Sequence, residues 1–307
     1  MIKTNKNTLI TIVGPTAIGK TALSIKLANH FKSDIISCDS RQFFQEMTIG
    51  TAVPETNELA AAEHHFIQNR SIFEEYNVGT FERDALQKLD DLFAKNPVQV
   101  MVGGSGLYVD AVLKGLDYFP EVDSKIREKL TIQLQEDGIK TLQEKLKELD
   151  IDTYNTIAID NPHRIMRALE VCIGSGTPYS TYKNKPKSTR NFNSIKIGLT
   201  ADRETIYNRI NQRVENMTAN GLLEEAKELY PNKKLNALQT VGYRELFSFF
   251  DGVFTKEFAI SEIKKNTRRF AKRQLTWFRK DEEILWFDYQ TNINEIISKI
   301  SDKINNV

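Results

Sequence analysis

The chain has 307 residues, of which 40% are hydrophobic and 27% charged, and its formal net charge is +1. This composition is typical of a soluble globular protein with one large or two modest domains, and it argues against a uniformly basic nucleic-acid binder. No apolar run approaches the roughly 20 residues of a membrane span, and the first residues lack the long apolar stretch of a signal peptide. We therefore expect a cytoplasmic protein without membrane contact.

The sequence also predicts no disulfide framework and no zinc site. Its two cysteines, Cys38 and Cys172, are too few for either. His64 and His65 form the one close histidine pair, and adjacent histidines are more often structural or exposed than metal ligands.

An apolar run leads into a glycine-rich loop at residues 8–21, TLITIVGPTAIGKT. The segment matches the pattern G-x-x-x-x-G-K-[ST], in which backbone N–H groups and a helix N-terminus surround phosphate oxygens. The lysine of the pattern adds a positive charge, and the threonine can ligate Mg²⁺. The sequence therefore predicts a site for a di- or triphosphate. The predicted loop residues are Gly14, Pro15, Thr16, Ala17, Ile18, Gly19, Lys20 and Thr21.

Short β-branched runs recur along the chain, and most are apolar on both alternations. They occur at residues 8–14, 34–40, 98–104, 194–200 and 283–288. Such runs suit the strands of a parallel sheet covered by helices on both faces, with the phosphate loop opening the first crossover. We predict an α/β fold, a P-loop NTPase-like parallel sheet flanked by helices, with a helical insertion domain.

Helical periodicity dominates residues 121–190 and predicts the insertion there. Its last part, residues 175–193, is rich in Pro, Ser, Thr and Lys and is typical of a loop returning to the sheet. The core would then comprise residues 1–120 and 191–307. Residues 203–280 have a helical pattern again, with breaks expected near Pro231 and Gly242.

A hydrolase with a phosphate loop usually carries an acid at the end of an apolar strand to help hold Mg²⁺, and this chain has no obvious one. The run at residues 98–102 ends in glycines and Ser105 instead. Asp39, at the end of the second run, is better placed, because strand carboxyl ends in such sheets face the ligand crevice. It could be a base or a metal ligand. Alternatively, Asp39 and Ser40 cap a helix.

Basic residues cluster in residues 264–280, a segment without acids that also contains Phe270, Trp277 and Phe278. Cations neutralise phosphates and aromatic rings stack on unpaired bases, so the segment suits RNA. A solvated helix with inward-packed aromatics is the alternative.

Arg164 and Arg167 share a helix face. Paired arginines suit a phosphate or pyrophosphate, and surface salt bridges to nearby acids are an equally good alternative.

Six segments taken together resemble the tRNA isopentenyltransferase (IPP transferase) family, the tRNA dimethylallyltransferases. They are GPTAIGKT (14–21), DSRQFFQEMTIGTAVP (39–54), GGSGLYVDAVLKGL (103–116), NPHRIMRALEV (161–171), VGYRE (241–245) and KRQLTWFRK (272–280). The resemblance covers residues 8–288 in order. It implies transfer of a dimethylallyl group from dimethylallyl diphosphate to N6 of the adenosine 3′ of the tRNA anticodon, releasing pyrophosphate, with Mg²⁺ as cofactor. The loop then grips a leaving group, so no acid is needed to aim water at a phosphate.

By this resemblance, Asp39 is the catalytic base that accepts a proton from the exocyclic amine, Thr16 lies near the bridging oxygen, and Thr21 ligates Mg²⁺. The adenine must leave its stack to react, which implies a channel for a flipped base. The partners would be dimethylallyl diphosphate and the tRNA anticodon stem-loop, and we expect a monomer. The implied tRNA contacts are Asp39, Ser40, Arg41, Gln42, Ser105, Arg127, His163, Arg164, Ile165, Met166, Arg167, Gln239, Thr240, Val241, Gly242, Tyr243, Arg244, Arg268, Arg269, Lys272, Arg273 and Arg279.

Three residues depart from the usual family pattern: Phe44 replaces a tyrosine, Glu46 a glycine and Ser105 a threonine. Serine keeps the hydroxyl, whereas Phe44 puts any role of that hydroxyl in doubt. Two other functions remain open. A nucleotide or small-molecule kinase would use the loop for ATP but leaves the basic segment and Asp39 without a role. A non-catalytic RNA-binding protein is the third possibility.

Overall fold

The computed structural model describes residues 7–183 and 189–306, which divide into two compact units. Unit 1 comprises Met1–Lys114 and Arg190–Val307, and unit 2 comprises Gly115–Thr189. Residues 184–188 of the predicted return loop, and residues 1–6 at the start examined for a signal peptide, lie outside the described residues. Within the described ranges no helix has both the length and the apolar character to cross a membrane.

Unit 1 is built on a parallel sheet. Its strands are, in chain order, β1 (Thr8–Val13), β2 (Ile35–Ser37), β3 (His64–His65), β4 (Val98–Val102), β5 (Asn193–Thr200) and β6 (Leu285–Asp288). They lie in the order β3-β2-β4-β1-β5-β6, and every pairing is parallel. The predicted parallel sheet is therefore confirmed, with strands at all five apolar runs.

The strand β3 was not predicted, because two partly exposed histidines carry no apolar signal. His65 Nε2 lies 2.8 Å from Asp34 Oδ2, and His64 Nδ1 lies 2.8 Å from the carbonyl oxygen of Ala62. The histidine pair thus completes one edge of the sheet, in agreement with the structural interpretation.

The described residues contain thirteen α-helices. They are α1 (Lys20–Phe31), α2 (Thr56–Ala61), α3 (Val78–Phe93), α4 (Gly106–Lys114), α5 (Ser124–Asp137), α6 (Ile139–Leu149), α7 (Ile151–Thr156), α8 (Pro162–Ser175), α9 (Arg203–Ala219), α10 (Leu222–Leu229), α11 (Tyr243–Phe250), α12 (Lys256–Phe278) and α13 (Ile293–Asn305). A short 3₁₀ helix at Tyr230–Asn232 and the start of α11 after Gly242 confirm both predicted helix breaks.

Both faces of the sheet are covered, which explains why its strands are apolar on both alternations. Ile10 and Ile12 of β1 pack in a core with α1, α9 and α13. Leu9 and Val13 pack in a second core with α3 and α4. A third cluster joins α10, α11 and α12 and includes Phe44 from the segment after β2.

Unit 2 is helical, as the periodicity predicts, and contains α5 to α8. Its core contains Leu130, Leu142 and Leu146 from α5 and α6, packed against α8. Asn161 begins α8 by accepting hydrogen bonds from the two N–H groups at residues 163 and 164, and Pro162 follows at the first helical position.

Three loops leave the carboxyl edge of the sheet next to one another. They follow β1, β2 and β4, which are neighbours in the sheet. Backbone hydrogen bonds join the loops where they begin: Gly103 N–H donates to the Ile12 carbonyl at 3.1 Å, and Cys38 N–H to the Val102 carbonyl at 2.7 Å. The phosphate loop, Asp39 and the glycine segment at 103–106 are therefore brought together by parallel pairing alone.

Candidate active site

The phosphate loop connects β1 to α1, and Gly19 lies directly before the helix. The Lys20 ammonium group donates a hydrogen bond to the Pro15 carbonyl at 2.8 Å, so the lysine folds back over the loop. Thr21, in the first turn of α1, is partly exposed, and its hydroxyl makes no hydrogen bond to the described residues. The loop thus presents a positive charge, a helix N-terminus and a free hydroxyl oxygen in one place.

Two arginines of α9 also bind this loop, and neither was predicted. Arg213 Nη1 donates to the Thr16 hydroxyl at 3.0 Å, and Arg209 Nε donates to the Ala17 carbonyl at 2.8 Å. Their spacing of four residues places them on one helix face. That spacing was visible in the sequence, but only the packing of α9 shows that this face meets the phosphate loop.

The cations around the loop are poorly neutralised. Burial lowers the pKa of Lys20 to about 8, with the Asp39 carboxylate opposing the shift and Arg213 adding to it. Burial also lowers the pKa of Arg213, again opposed by Asp39. Among the described residues, Lys20, Arg209 and Arg213 form no salt bridge. This excess of positive charge, in which Lys20 and Arg213 are desolvated and Arg209 is exposed, favours a multivalent anion.

Asp39 follows β2 at the carboxyl edge. Its Oδ1 accepts a hydrogen bond from the Arg41 N–H at 3.1 Å, and its backbone carbonyl accepts from the Gln42 N–H at 3.2 Å. These bonds form a turn, and no helix follows, so the helix-cap interpretation is wrong. Oδ2 makes no hydrogen bond to the described residues, which leaves one carboxylate oxygen available to accept a proton.

A close approach of two backbones positions Asp39. A Cβ atom on Gly103 would lie 2.1 Å from the carbonyl oxygen of Cys38, the residue before Asp39. No other residue fits without moving one of the two segments. The GGSG run thus supplies contact with the Asp39 segment, as its glycines indicated.

Ser105 and Ser40, both predicted tRNA contacts, touch each other. The Ser40 N–H donates to the Ser105 hydroxyl at 3.2 Å, and the two hydroxyl oxygens are also 3.2 Å apart. Both residues are partly exposed. The serine that replaces the usual threonine therefore still supplies the oxygen that supports the Asp39 turn.

The side chains of Arg41 and Gln42 bind backbone carbonyls. Arg41 Nη1 donates to the carbonyls of Asn236 at 3.1 Å and Ala237 at 2.9 Å. Gln42 Nε2 donates to carbonyls at residues 51 and 52, at 3.2 and 2.7 Å. The Arg41 contacts join the Asp39 segment to residues 236 and 237, shortly before the predicted tRNA segment at 239–244.

Within residues 239–244, the exposed members are Gln239 and Arg244, and Thr240 and Val241 are partly exposed. Gly242 and Tyr243 are buried, and the Tyr243 side chain has no exposed surface. Tyr243 therefore supports the protein interior in this structure and offers no side-chain surface to an RNA, in contrast to the role implied by the resemblance.

Tyr243 helps to hold a carboxylate that sequence reasoning missed. The Tyr243 hydroxyl donates to Glu225 Oε1 at 2.7 Å. The same carboxylate accepts N–H groups from Thr48, Ile49 and Gly50 at 2.7 to 2.9 Å. Glu225 thus fixes the end of the segment that begins at Asp39. Nothing in the local sequence around Glu225 signals this, because its partners lie some 175 residues away.

The basic segment forms the second half of α12, and only part of its charge is free. Lys264 pairs with Glu215 at 2.8 Å, and Lys265 pairs with Glu262. Arg268 Nη1 donates to Asn211 Oδ1 at 2.7 Å and is partly buried. The exposed cations without a salt bridge to the described residues are Arg269, Lys272, Arg273, Arg279 and Lys280.

The aromatic residues of α12 divide in the same way. Phe270 and Trp277 are 38% and 42% exposed, whereas Phe278 is buried in the second core, which also contains α3 and α4. The exposed cations and the two exposed rings together retain the composition predicted for an RNA-binding surface. Phe278 follows the alternative interpretation, in which the aromatic residues of the helix pack inward.

In unit 2, His163, Arg164, Arg167 and Arg127 are exposed. Ile165 and Met166 are core residues of the unit, so their side chains are not available to an RNA in this structure. The arginines also follow the salt-bridge alternative in part. Arg127 Nε lies 3.0 Å from Oε1 of buried Glu170, and Arg167 Nη1 lies 3.7 Å from its Oε2.

The two remaining departures from the family pattern have structural roles. Phe44 is 5% exposed and packs in the third core cluster, where a phenolic hydroxyl would need a partner. The Glu46 carboxylate accepts hydrogen bonds from the Ser71 hydroxyl at 2.6 Å and the Ile72 N–H at 3.0 Å. Glu46 therefore ties its segment to residues 71–72.

A cavity of about 710 Å³ opens beside the phosphate loop. Arg209 and Arg213 line one part of it, and apolar residues line another, among them Ile49, Val53 and Met217. Cation-rich and apolar surfaces are thus adjacent in one space, which suits a ligand with a charged head and a short hydrocarbon tail.

No group of three or more His, Cys, Asp or Glu side chains that could hold a metal ion occurs in residues 7–183 and 189–306. A protein cage for a cation is therefore lacking there. Mg²⁺ commonly binds through one or two protein oxygens together with substrate phosphates and water, and the free Thr21 hydroxyl fits that arrangement.

Comparison with known proteins agrees with this geometry. A profile described as "IPP transferase" matches residues 42–281. The chain belongs to the IPP transferase family. A tRNA dimethylallyltransferase of Flavobacterium psychrophilum is 63% identical over 97% of this chain and 99% of its own length. One of Christiangramia forsetii is also 63% identical, over 97% and 99%.

Solved structures of IPP transferases share the fold. The tRNA isopentenylpyrophosphate transferase of Bacillus halodurans is 35% identical and has a TM-score of 0.72, covering 98% of this chain and 96% of its own. A eukaryotic dimethylallyltransferase acting on tRNA is 25% identical with a TM-score of 0.80, covering 98% and 80%. These comparisons do not favour the kinase alternative.

We predict that Tyr243→Phe destabilises this IPP transferase without changing its tRNA affinity. Loss of the hydroxyl removes one bond to the buried end of Glu225 and should lower the free energy of unfolding by about 1 to 2 kcal/mol. Urea unfolding measures this. Tyr230→Phe, which removes a hydroxyl bonded to Asp251 at the surface, is the matched control and should change stability less. A weaker tRNA affinity in Tyr243→Phe alone would contradict the structural role.

Proposed function

We propose that the protein is a tRNA dimethylallyltransferase that transfers a dimethylallyl group from dimethylallyl diphosphate to N6 of the adenosine 3′ of the anticodon and releases pyrophosphate. One observation carries the proposal: three cations without salt-bridge partners converge on a glycine loop, and only strand β4 separates that loop's strand from the strand that leads to a carboxylate with a free oxygen. Family membership and full-length relatives of this activity support the same conclusion.

The phosphate loop would hold the diphosphate as a leaving group. As the allylic C–O bond breaks, negative charge builds on pyrophosphate, and donors already placed around that charge lower the barrier. Lys20 and Arg213 each use one N–H group on the loop and keep others for phosphate oxygens. Thr16 lies at the centre of these contacts, consistent with a position near the bridging oxygen.

The cavity beside the loop would take the hydrocarbon part of the donor. Its apolar side, with Ile49, Val53 and Met217, can bury a five-carbon chain, while the arginines meet the diphosphate. This combination of arginines with an apolar part of the wall suits a prenyl diphosphate.

Asp39 would act as the general base. The exocyclic N6 amine attacks the allylic carbon, the C–O bond breaks, and the amine loses a proton to the carboxylate. The turn around Asp39 and the close contact at Gly103 hold the carboxylate in place, so little reorganisation is needed. The target adenine must leave its stack to reach this group.

The Thr21 hydroxyl would ligate Mg²⁺, with the remaining ligands coming from diphosphate oxygens and water. When bound, the ion neutralises charge on the departing pyrophosphate. The absence of a carboxylate cluster within the described ranges is compatible with an ion that arrives with the substrate.

The tRNA would be held by exposed groups in both units: Arg269, Lys272 and Arg273 on α12, Arg244 beside the Asp39 segment, and Arg164 on α8. These residues would neutralise phosphates, whereas Ser40 and Ser105 would lie beside the adenine that reacts. We expect the enzyme to act as a monomer in the cytoplasm, and both statements remain predictions.

The direct test is transfer from labelled dimethylallyl diphosphate to an unmodified anticodon stem-loop with Mg²⁺, followed by nucleoside analysis. We expect N6-dimethylallyladenosine with the wild type. Asp39→Asn keeps an acceptor for the Arg41 N–H but removes the base, and should lower turnover by about 10² to 10⁴. Its stem-loop Kd should stay within about twofold. Absence of the modified nucleoside with wild type, or full turnover in Asp39→Asn, would contradict the proposal.

The pKa of Lys20 predicts an alkaline limit on donor use. Diphosphate binding needs the ammonium form, so kcat/KM for the donor should fall as the pH rises through about 8, the pKa in the free enzyme. At saturating donor the limit should move to higher pH, because bound diphosphate stabilises the charged lysine. The residual activity of Lys20→Ala should lack this limit. A flat wild-type profile between pH 7 and about 9.5 would contradict it.

The free cations of α12 predict the salt dependence of tRNA binding. Lys272→Gln/Arg273→Gln should reduce the slope of log Kd against log salt concentration by about 1.4 to 1.8. Lys264→Gln/Lys265→Gln removes the same net charge from lysines already paired with glutamates, and should change the slope much less. A wild-type slope in Lys272→Gln/Arg273→Gln would remove this part of α12 from the RNA interface.

A further inference from the structure

Gln274 joins the two loops of the candidate active site. It lies on α12, is 6% exposed, and has both ends of its amide engaged. Oε1 accepts the backbone N–H of Thr16 at 2.9 Å, and Nε2 donates to the Gly104 carbonyl at 2.9 Å. Because one partner can only donate and the other only accept, this orientation of the amide is the one that satisfies both.

The contact with Gly104 leaves no room for a side chain at residue 104 unless the Gln274 amide moves. A Cβ atom at Gly104 would lie 2.2 Å from Gln274 Nε2, so the second glycine of the GGSG run admits the amide. The same virtual atom would be 3.7 Å from Lys20 Nζ. Gln274 therefore lies beside the cation cluster without being one of its charges.

The bond to Thr16 also decides where that residue points. Its N–H is used by Gln274, and its hydroxyl accepts from Arg213. The backbone of Thr16 is thus held by α12 and its side chain by α9. The Thr16 N–H is not available to a phosphate. This N–H group therefore helps to set the shape of the loop.

The helix that carries Gln274 is the one with the free cations proposed to bind tRNA. Lys272 and Arg273 immediately precede Gln274 and are exposed, whereas Gln274 points into the protein. One turn later, Trp277 Nε1 donates to Asp110 Oδ2 at 2.9 Å and anchors the same helix to α4. The helix with the free cations and the phosphate loop thus share a buried amide, in addition to the packing of Ala271 with Ile18 in the first core.

We propose that Gln274 is a positioning residue for group transfer, which fixes Thr16 and the phosphate loop relative to α12. This inference rests on the proposed function of the same site. Both ends of the Gln274 amide bind backbone groups, so the residue acts through the loops. Its loss should let the loop move, and misplacement by about 1 Å in such a site can reduce turnover about 100-fold.

Gln99 supplies a matched control. It is also a buried glutamine, 2% exposed, whose Oε1 accepts the Asp34 N–H at 3.2 Å and whose Nε2 donates to the carbonyls of Leu92 and Asn96 at 3.1 and 2.9 Å. It lies near the start of β4, whereas the phosphate loop follows the end of β1, so the two are at opposite ends of the parallel strands. Gln274→Met and Gln99→Met remove the same amide and keep the side-chain volume.

The experiment compares Tm, stem-loop Kd, pyrophosphate Kd and kcat at saturating substrates for wild type and both variants. We expect the two variants to lower Tm by similar amounts. Their stem-loop Kd values should stay within about twofold of the wild-type value. Gln274→Met should lose about 10- to 100-fold in kcat and bind pyrophosphate about tenfold more weakly, whereas Gln99→Met keeps both within about twofold. Equal kcat and pyrophosphate affinity in the two variants would overturn the inference.

Gln274→Glu provides a second variant should the methionine variant fold poorly. It keeps an acceptor for Thr16 but loses the donor to Gly104 and places a carboxylate beside Lys20, so donor KM should rise about tenfold with lower kcat. Wild-type KM and kcat would contradict the inference. Absence of transfer by the wild type refutes the proposed function instead, and pyrophosphate binding still tests Gln274 in that case.

Discussion

The site depends on positive charge that the protein itself does not neutralise. Lys20, Arg209 and Arg213 all donate to the phosphate loop and form no salt bridge among the described residues. Burying cations is costly, and here the cost is visible as pKa values of Lys20 and Arg213 that burial lowers, with Arg213 adding to the shift at Lys20. The arrangement becomes favourable once a polyanion binds. A diphosphate that leaves with additional charge is the ligand such a site stabilises most.

The rest of unit 1 holds these charges and the base in register. Parallel pairing of β1, β2 and β4 places three loops at one edge of the sheet. Close backbone contacts at Gly103 and Gly104 then allow the Asp39 segment and α12 to approach those loops. Glu225 fixes the far end of the Asp39 segment through three N–H groups. Polar groups whose hydrogen bonds are satisfied inside the protein thus determine the position of the polar groups whose hydrogen bonds are not.

The segments implied as tRNA contacts prove to be mixtures of surface and core. Arg244 is exposed while its neighbour Tyr243 is fully buried, and Arg164 is exposed while Ile165 packs inside unit 2. A helix places consecutive residues on different faces, so a contiguous motif cannot face RNA along its whole length. On α12 the same division separates Lys272 and Arg273 from Gln274.

The sequence by itself determined the fold class and the local chemistry. Apolar runs predicted five of the six strands, and the glycine pattern predicted the phosphate loop, because both signals lie within a few consecutive residues. Asp39 could be selected because strand carboxyl ends share an edge. Only the tertiary structure brought in Arg213, Glu225 and Gln274, whose loop partners lie between 170 and 258 residues away. Their residue types are common on helices, and their roles arise from which helix face meets which loop, a matter of packing that no local pattern records.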